Sequence, residues 1–297
     1  WSMTHTQSSN GFAFSVKDHG AELCSLRGPD GTEYIWQADP AFWPRHSPLL
    51  FPIVGRLRND QYSLAGRTFQ MKQHGFARDM DFTPTREAPG EMAFRLVASD
   101  ATRRQYPFDF VLEVGYRLDG PSLTITYAVT NPNSTVMPFS IGAHPAFACS
   151  WERGDTIERY HLEFEQRETV GTTLLAGGIL SQERLPVLKN SRQLALDAHT
   201  FDRDALILLD HKSRSISLRR HDSERKLTVE FPDFPHLGIW SKPGAPFVCI
   251  EPWFGHADPA EPHGDFADKP GLLHIAPGST FSCRYRLVIR ISPGVAG

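Results

Sequence analysis

The chain has 297 residues, with 31 Lys and Arg against 34 Asp and Glu and a formal net charge of −3. Hydrophobic residues make up 40% and charged residues 22%, which excludes a disordered chain and gives no basic field for nucleic acid. No apolar run approaches the roughly 18 residues of a membrane-spanning helix.

In chain order, the first ten residues carry no apolar pattern. Trp1 and Ser2 precede Met3 and read as a tag-derived end, so residues 1–10 are expected to be unstructured. Period-2 alternation then dominates. It runs through Phe12, Phe14 and Val16, through Met92, Phe94, Leu96 and Ala98, and through Phe110, Leu112, Val114 and Tyr116. Asp119-Gly120 reads as a hairpin turn, followed by Leu123, Ile125, Tyr127 and Val129. Further strands are expected at Leu227 to Phe231 and Phe281 to Ile291. Phe247 to Ile250 is continuously apolar, as in a strand buried on both faces. Helical signals are confined to one Asp-capped turn at Asp100 to Gln105 and a second at Asp197 to Asp204. The 23 Gly, 23 Pro and 11% aromatic residues agree with many short strands. The reading is an all-β fold in a single domain over residues 11–291, with a loose tail at 292–297.

Cys24, Cys149, Cys249 and Cys283 form no C-x-x-C pair and read as buried reduced thiols. With no signal-peptide pattern at the start of the sequence, the expected compartment is cytoplasmic.

Four segments look unlike ordinary strand or turn. Glu251 ends the apolar run and shares a face with Phe247 and Cys249 before Pro252 breaks the strand. A carboxylate there has its pKa raised by desolvation, which suits a general base. The competing reading is a structural Glu paired with Arg56. His144 lies in Gly142-Ala143-His144-Pro145-Ala146-Phe147, where small neighbours leave the imidazole approachable, or else it is a core histidine. His74 lies in Gln73-His74-Gly75-Phe76-Ala77-Arg78-Asp79, with the same two readings. Arg56, after Gly55, can fork two hydrogen bonds onto a hydroxylated or phosphorylated ligand, or form a salt bridge. Phe76, Trp240, Trp253 and Phe254 offer rings for a pyranose face, or for plain core packing. His256, His263 and His274 have spacings that match no zinc pattern.

Together these segments, with Leu50-Phe51-Pro52 and Gly238-Ile239-Trp240, resemble the aldose 1-epimerases (galactose mutarotases), specifically the LacX-like branch. The resemblance runs from about Gly11 to Ile291. It implies a β-supersandwich of two large antiparallel sheets with few short helices and a concave carbohydrate cleft. It also implies that Glu251 is the general base on the anomeric hydroxyl, that His144 is the general acid to the ring oxygen, and that His74 stabilises charge there. Arg56, Phe76 and Trp253 would bind the sugar. The implied reaction needs no cofactor and no metal. The implied partner is a small sugar, with no nucleic acid and no membrane, and the chain would be a monomer or homodimer. Two departures stand out. The best-known branch has a His-His-x-Tyr-Phe-type segment where this chain has His144-Pro145-Ala146-Phe147. It also has a Gly-x-Asp sugar-binding aspartate in the third quarter, for which only Asp233 and Asp258 offer themselves; Asp258 is taken as the candidate. Three alternatives stay open: a hexose-6-phosphate 1-epimerase, with Arg56 and Arg78 near the phosphate; a non-catalytic carbohydrate-binding or regulatory protein; and a metal enzyme using His74, His144 and Glu251.

Overall fold

A computed structural model describes residues 2–291. Among them antiparallel sheet dominates, because alternating side chains give most strands one buried face. Val111–Asp119 and Ser122–Thr130 bury every second residue and pair in register from Asp119 and Ser122 outward. The hairpin loop is therefore Gly120-Pro121, with Gly120 in the left-handed region at φ 52°.

Nine strands form the larger sheet. In spatial order they are Ile179–Ala195, Tyr160–Ala176, Ser215–Arg220, Lys226–Glu230, Thr280–Arg290, Ser122–Thr130, Val111–Asp119, Glu91–Val97 and Thr83–Ala88. The second sheet runs Leu206–Leu208, His236–Trp240, Phe247–Phe254, Ile141–Ala143 and Leu49–Leu50, with Ala146–Ala148 also on Phe247–Phe254. As the continuous apolar run implied, Phe247–Phe254 is central and buried almost throughout. One large core holds Phe14, Phe94, Phe147, Phe164, Phe231 and Leu287, drawn from strands of both sheets and from the N-terminal strands. A three-stranded sheet of Thr4–Ser9, Phe12–Lys17 and Glu22–Arg27 and two short ribbons complete the strands.

Three expectations need correction. Residues 4–9 are a strand, not an unstructured end. Asn10-Gly11, with φ of 51° and 82°, makes the tight turn that folds it back on Phe12–Lys17. The short helix Asp100–Arg103 is capped by Ser99, whose hydroxyl accepts from the Thr102 N–H, rather than by Asp100. Residues 197–204 form turns, not a helix. Asp197 accepts from the His199 N–H and the Thr200 hydroxyl, which holds the chain in a loop. The tail at 292–297 lies outside the described residues. All four cysteines are free and buried. No helix of the described residues is long and apolar enough to cross a membrane.

Candidate active site

The second sheet carries Glu251 and sets up His144. Glu251 sits on the central strand opposite Gly238. A side chain at Gly238 would place its first carbon 2.3 Å from the Trp253 ring, so glycine there makes room for that indole. His144 follows the strand Ile141–Ala143, whose Gly142 is likewise pressed against Trp253. The two functional groups meet, with His144 Nε2 3.2 Å from Glu251 Oε1.

His74 arrives from a strained loop. Its φ is 66°, a left-handed conformation uncommon for a residue with a side chain. A reciprocal pair of hydrogen bonds holds it there: the His74 N–H donates to the Gly55 carbonyl (2.9 Å), and the Gly55 N–H donates to His74 Nδ1 (2.9 Å). The second bond fixes the tautomer. Nδ1 must carry the lone pair, so the neutral ring carries its hydrogen on Nε2. Gly75 is obligatory beside it, since a Cβ would lie 2.2 Å from the Phe51 carbonyl oxygen. The His74 and His144 rings meet edge to face at 5.6 Å.

These three residues line one cleft of about 490 Å³, with Arg56, Arg78, Asp204, Trp43 and Trp253 also on its walls. Trp43 stacks on His144, with ring centroids 5.0 Å apart and planes 28° apart. Behind it Phe247 stacks on Trp43 at 5.8 Å, and the Trp43 carbonyl accepts from the Trp36 indole at 2.9 Å. His144 Nδ1 is buried and has no hydrogen-bond partner. The aromatic column packs against the face of the His144 ring.

The electrostatics follow from burial. Desolvation pushes the Glu251 carboxyl well above the carboxylate range; the nearby Trp253 indole opposes this and Asp204 adds to it. Desolvation drives His144 down to about 3, with Arg78 and Arg45 adding repulsion. His74 is pushed well below its ordinary value by burial and then by His144. Arg78 is lowered to about 10, first by burial and then by Arg45. Both members of the 3.2 Å pair thus disfavour charge.

The sequence profile of the aldose 1-epimerase family matches residues 3–267. The chain belongs to the aldose 1-epimerase family. Two LacX proteins of Lactococcus lactis subsp. lactis, one chromosomal and one plasmid-borne, are each 38% identical over 283 residues, which is 92% of this chain and 95% of theirs. A galactose mutarotase related enzyme from Lactobacillus acidophilus superposes with a TM-score of 0.92 at 34% identity, covering 98% of this chain and 99% of its own. A galactose mutarotase-like protein from Lactobacillus casei gives 0.90 at 30% identity, covering 97% and 100%.

Against this epimerase fold, the expected site residues divide. Glu251, His144, His74, Arg56 and Trp253 line the cleft. Arg56 is half-exposed and forks onto Asp60, with Nε and a terminal nitrogen at 2.9 and 3.1 Å, so its salt-bridge partner is Asp60 and not Glu251. Phe76 is not on the cleft wall. Its ring is buried among Phe51, Tyr106 and Phe110, because the turn at Gly75 sends it into the core. Asp258 also faces away. Its carboxylate accepts from the Arg58 N–H (2.8 Å) and lies 3.0 Å from His263 Nε2 and 3.6 Å from Lys269 Nζ. Asp233 caps the Arg284 N–H on another face. The cleft aspartate is Asp204, which the sequence reading did not single out, as it did not single out Trp43 or Gln73.

Proposed function

We propose that this epimerase-family protein interconverts the α and β anomers of a free hexose by ring opening and reclosure. The observation that carries the reading is the His144–Glu251 contact of 3.2 Å inside a cleft of about 490 Å³, a size suited to a monosaccharide. Glu251 takes the proton of the anomeric hydroxyl. His144 gives a proton to the ring oxygen as the C1–O5 bond breaks. The open aldehyde turns about C1–C2 and the reverse transfers close the other anomer.

The proton count closes on the pair alone. Ring opening moves one proton from sugar O1 to Glu251 and one from His144 to O5. A carboxylate–imidazolium pair becomes a neutral carboxylic acid and imidazole. Burial of both groups favours the neutral pair before the sugar binds as well as after ring opening, so the charged form is a transient that the bound sugar has to stabilise. His74, neutral with its hydrogen on Nε2, supplies a donor to developing negative charge without competing as an acid. Arg56 and Asp204 would receive sugar hydroxyls, and Trp253 would bound the ring.

Mutarotation of freshly dissolved α-glucose and α-galactose, followed by polarimetry, tests this. The protein should accelerate the decay of rotation, and Glu251→Gln and His144→Asn should each remove most of that acceleration. No acceleration with any of several hexoses would overturn the reading. One observation favours a phosphorylated hexose as a second reading: Arg78 lines the cleft with its Nε buried and without a hydrogen-bond partner. Stronger competition by glucose 6-phosphate than by glucose for the same site would decide for it.

A further inference from the structure

The epimerisation chemistry leaves one nucleophile unused beside the reacting pair. Cys249 precedes Glu251 by two residues on the central strand, so both side chains leave the same face. Its backbone is fixed on both sides, opposite Trp240 in one neighbouring strand and Ala146 in the other. One ligand atom each from His144, Cys249 and Glu251 lies within 4.8 Å of the other two, and all three residues are buried. Among the described residues this is the sole group of three His, Cys, Asp or Glu side chains so close.

We propose that His144 Nε2, Cys249 Sγ and a Glu251 carboxylate oxygen form an inhibitory binding site for a borderline-soft divalent cation of the zinc type. That binding blocks turnover rests on the epimerase reading; the binding itself does not.

The geometry is close to what such an ion needs. Bonds of about 2.0–2.3 Å from a tetrahedral zinc set ligand atoms roughly 3.3–3.8 Å apart. The Nε2–Oε1 separation is already 3.2 Å. The thiol lies within 4.8 Å of a His144 nitrogen and of a Glu251 oxygen, so it needs a shift of up to about 1.5 Å to reach that ligand spacing. One imidazole, one thiolate and one carboxylate select zinc-like ions over magnesium and calcium, which prefer all-oxygen shells. The fourth position opens on the cleft through His144 and Glu251, where water or a sugar hydroxyl can complete the shell. Three bonds form on binding, from nitrogen, sulfur and oxygen to the metal. Two protons leave to solvent, one from the thiol and one from the carboxyl of the neutral His144–Glu251 pair. No electron is transferred. With Nε2 and the carboxylate held by the ion, neither can pass a proton to or from a sugar.

Co²⁺ is the probe that tests the site without relying on turnover. Added to metal-free protein, it should bind one to one and produce the near-ultraviolet band of a thiolate–Co²⁺ bond. Zn²⁺ should erase the band by displacement, and Mg²⁺ should not. Cys249→Ser should abolish the band, while Cys283→Ser, a thiol elsewhere in the core, should keep it. In polarimetry Zn²⁺ should inhibit, a chelator should reverse the inhibition, and Cys249→Ser should keep the uninhibited rate but lose the sensitivity. Cys249→Ala serves should the serine variant fail to fold. No Co²⁺ band in the wild-type protein, or a band that persists in both Cys249 variants, would overturn the inference. The two readings fail separately. A band in a protein that does not accelerate mutarotation sinks the epimerase reading alone, and acceleration without a band sinks the metal site alone.

Discussion

Two buried acid clusters lie a few residues apart in sequence and behave in opposite ways. The Glu251 carboxyl has His144 at 3.2 Å and the Trp253 indole beside it, and burial still drives its pKa up. At Asp258 the carboxylate is surrounded by donors: the Arg58 N–H, His263 and Lys269. Lys269 is nearly fully buried and spends a second bond on the His256 carbonyl at 2.7 Å. The Asp258 N–H in turn donates to the Arg56 carbonyl, so the cluster ties the loop that carries Arg56 to the end of the central strand. A carboxylate met by three polar partners holds the chain in place. One left short of donors is free to take a proton from a ligand.

The comparison breaks most visibly at the two carboxylates themselves. Glu251→Gln should lower the mutarotation rate by about 10²–10⁴-fold, the usual worth of a positioned acid–base group. It should leave stability unchanged or raised, since it removes a poorly solvated acid. Asp258→Ala should do the reverse, leaving Lys269 buried beside no counter-charge and costing about 3–5 kcal/mol of unfolding free energy. Urea unfolding beside polarimetry reads both. Glu251→Gln destabilising as much as Asp258→Ala would erase the distinction. A smaller effect is expected at Trp43, which stacks on the His144 ring. Trp43→Leu should cut kcat by up to about 10²-fold with little change in KM, and Trp43→Phe should restore much of it. Equal loss in kcat and KM, with no rescue by Phe, would make Trp43 a mere wall of the cleft.

The same contrast explains which residues could be read from the sequence. His74, His144 and Glu251 stood out because each is a proton-transfer residue beside or near Gly or Pro, and two of the glycines serve close approach. Gly75 against Phe51 and Gly142 against Trp253 are the examples. The alternating strands were legible because half-burial leaves a period of two. Thr4–Ser9 was not, since it buries none of its residues fully and pairs through its backbone. Phe76 and Asp258 were misread because spacing says nothing of direction. A φ of 73° at Gly75 turns one ring into the core, and the loop after Gly255 turns one carboxylate onto Arg58 and Lys269. Asp204 was invisible among Asp197, Asp202 and Asp204, because only the fold brings one of the three to the cleft.

The smallest expected effect sharpens the contrast from the structural side. His256 sits in the Asp258 cluster, and its Nδ1–H donates to the Ala257 carbonyl at 2.8 Å. Burial lowers it from 6.5 to about 4; Lys269 and His236 push it the same way, and the Ala257 bond and Asp258 oppose them. The unfolded chain therefore binds a proton at His256 between about pH 6.5 and 4 while the folded one does not. This contribution to stability is fully present above pH 6.5, is lost as pH falls through that window, and changes no further below about 4. The loss is about 2 kcal/mol, less than the whole shift implies because the ring keeps some solvent contact. His256→Gln keeps a donor for Ala257 but cannot titrate, so its unfolding free energy should fall less steeply over that window. Parallel slopes for the two proteins in urea unfolding at pH 6.5, 5.5 and 4.5 would show that His256 is protonated within the fold. The Asp258 cluster would then contain an acid–base group of its own rather than a fixed set of bonds.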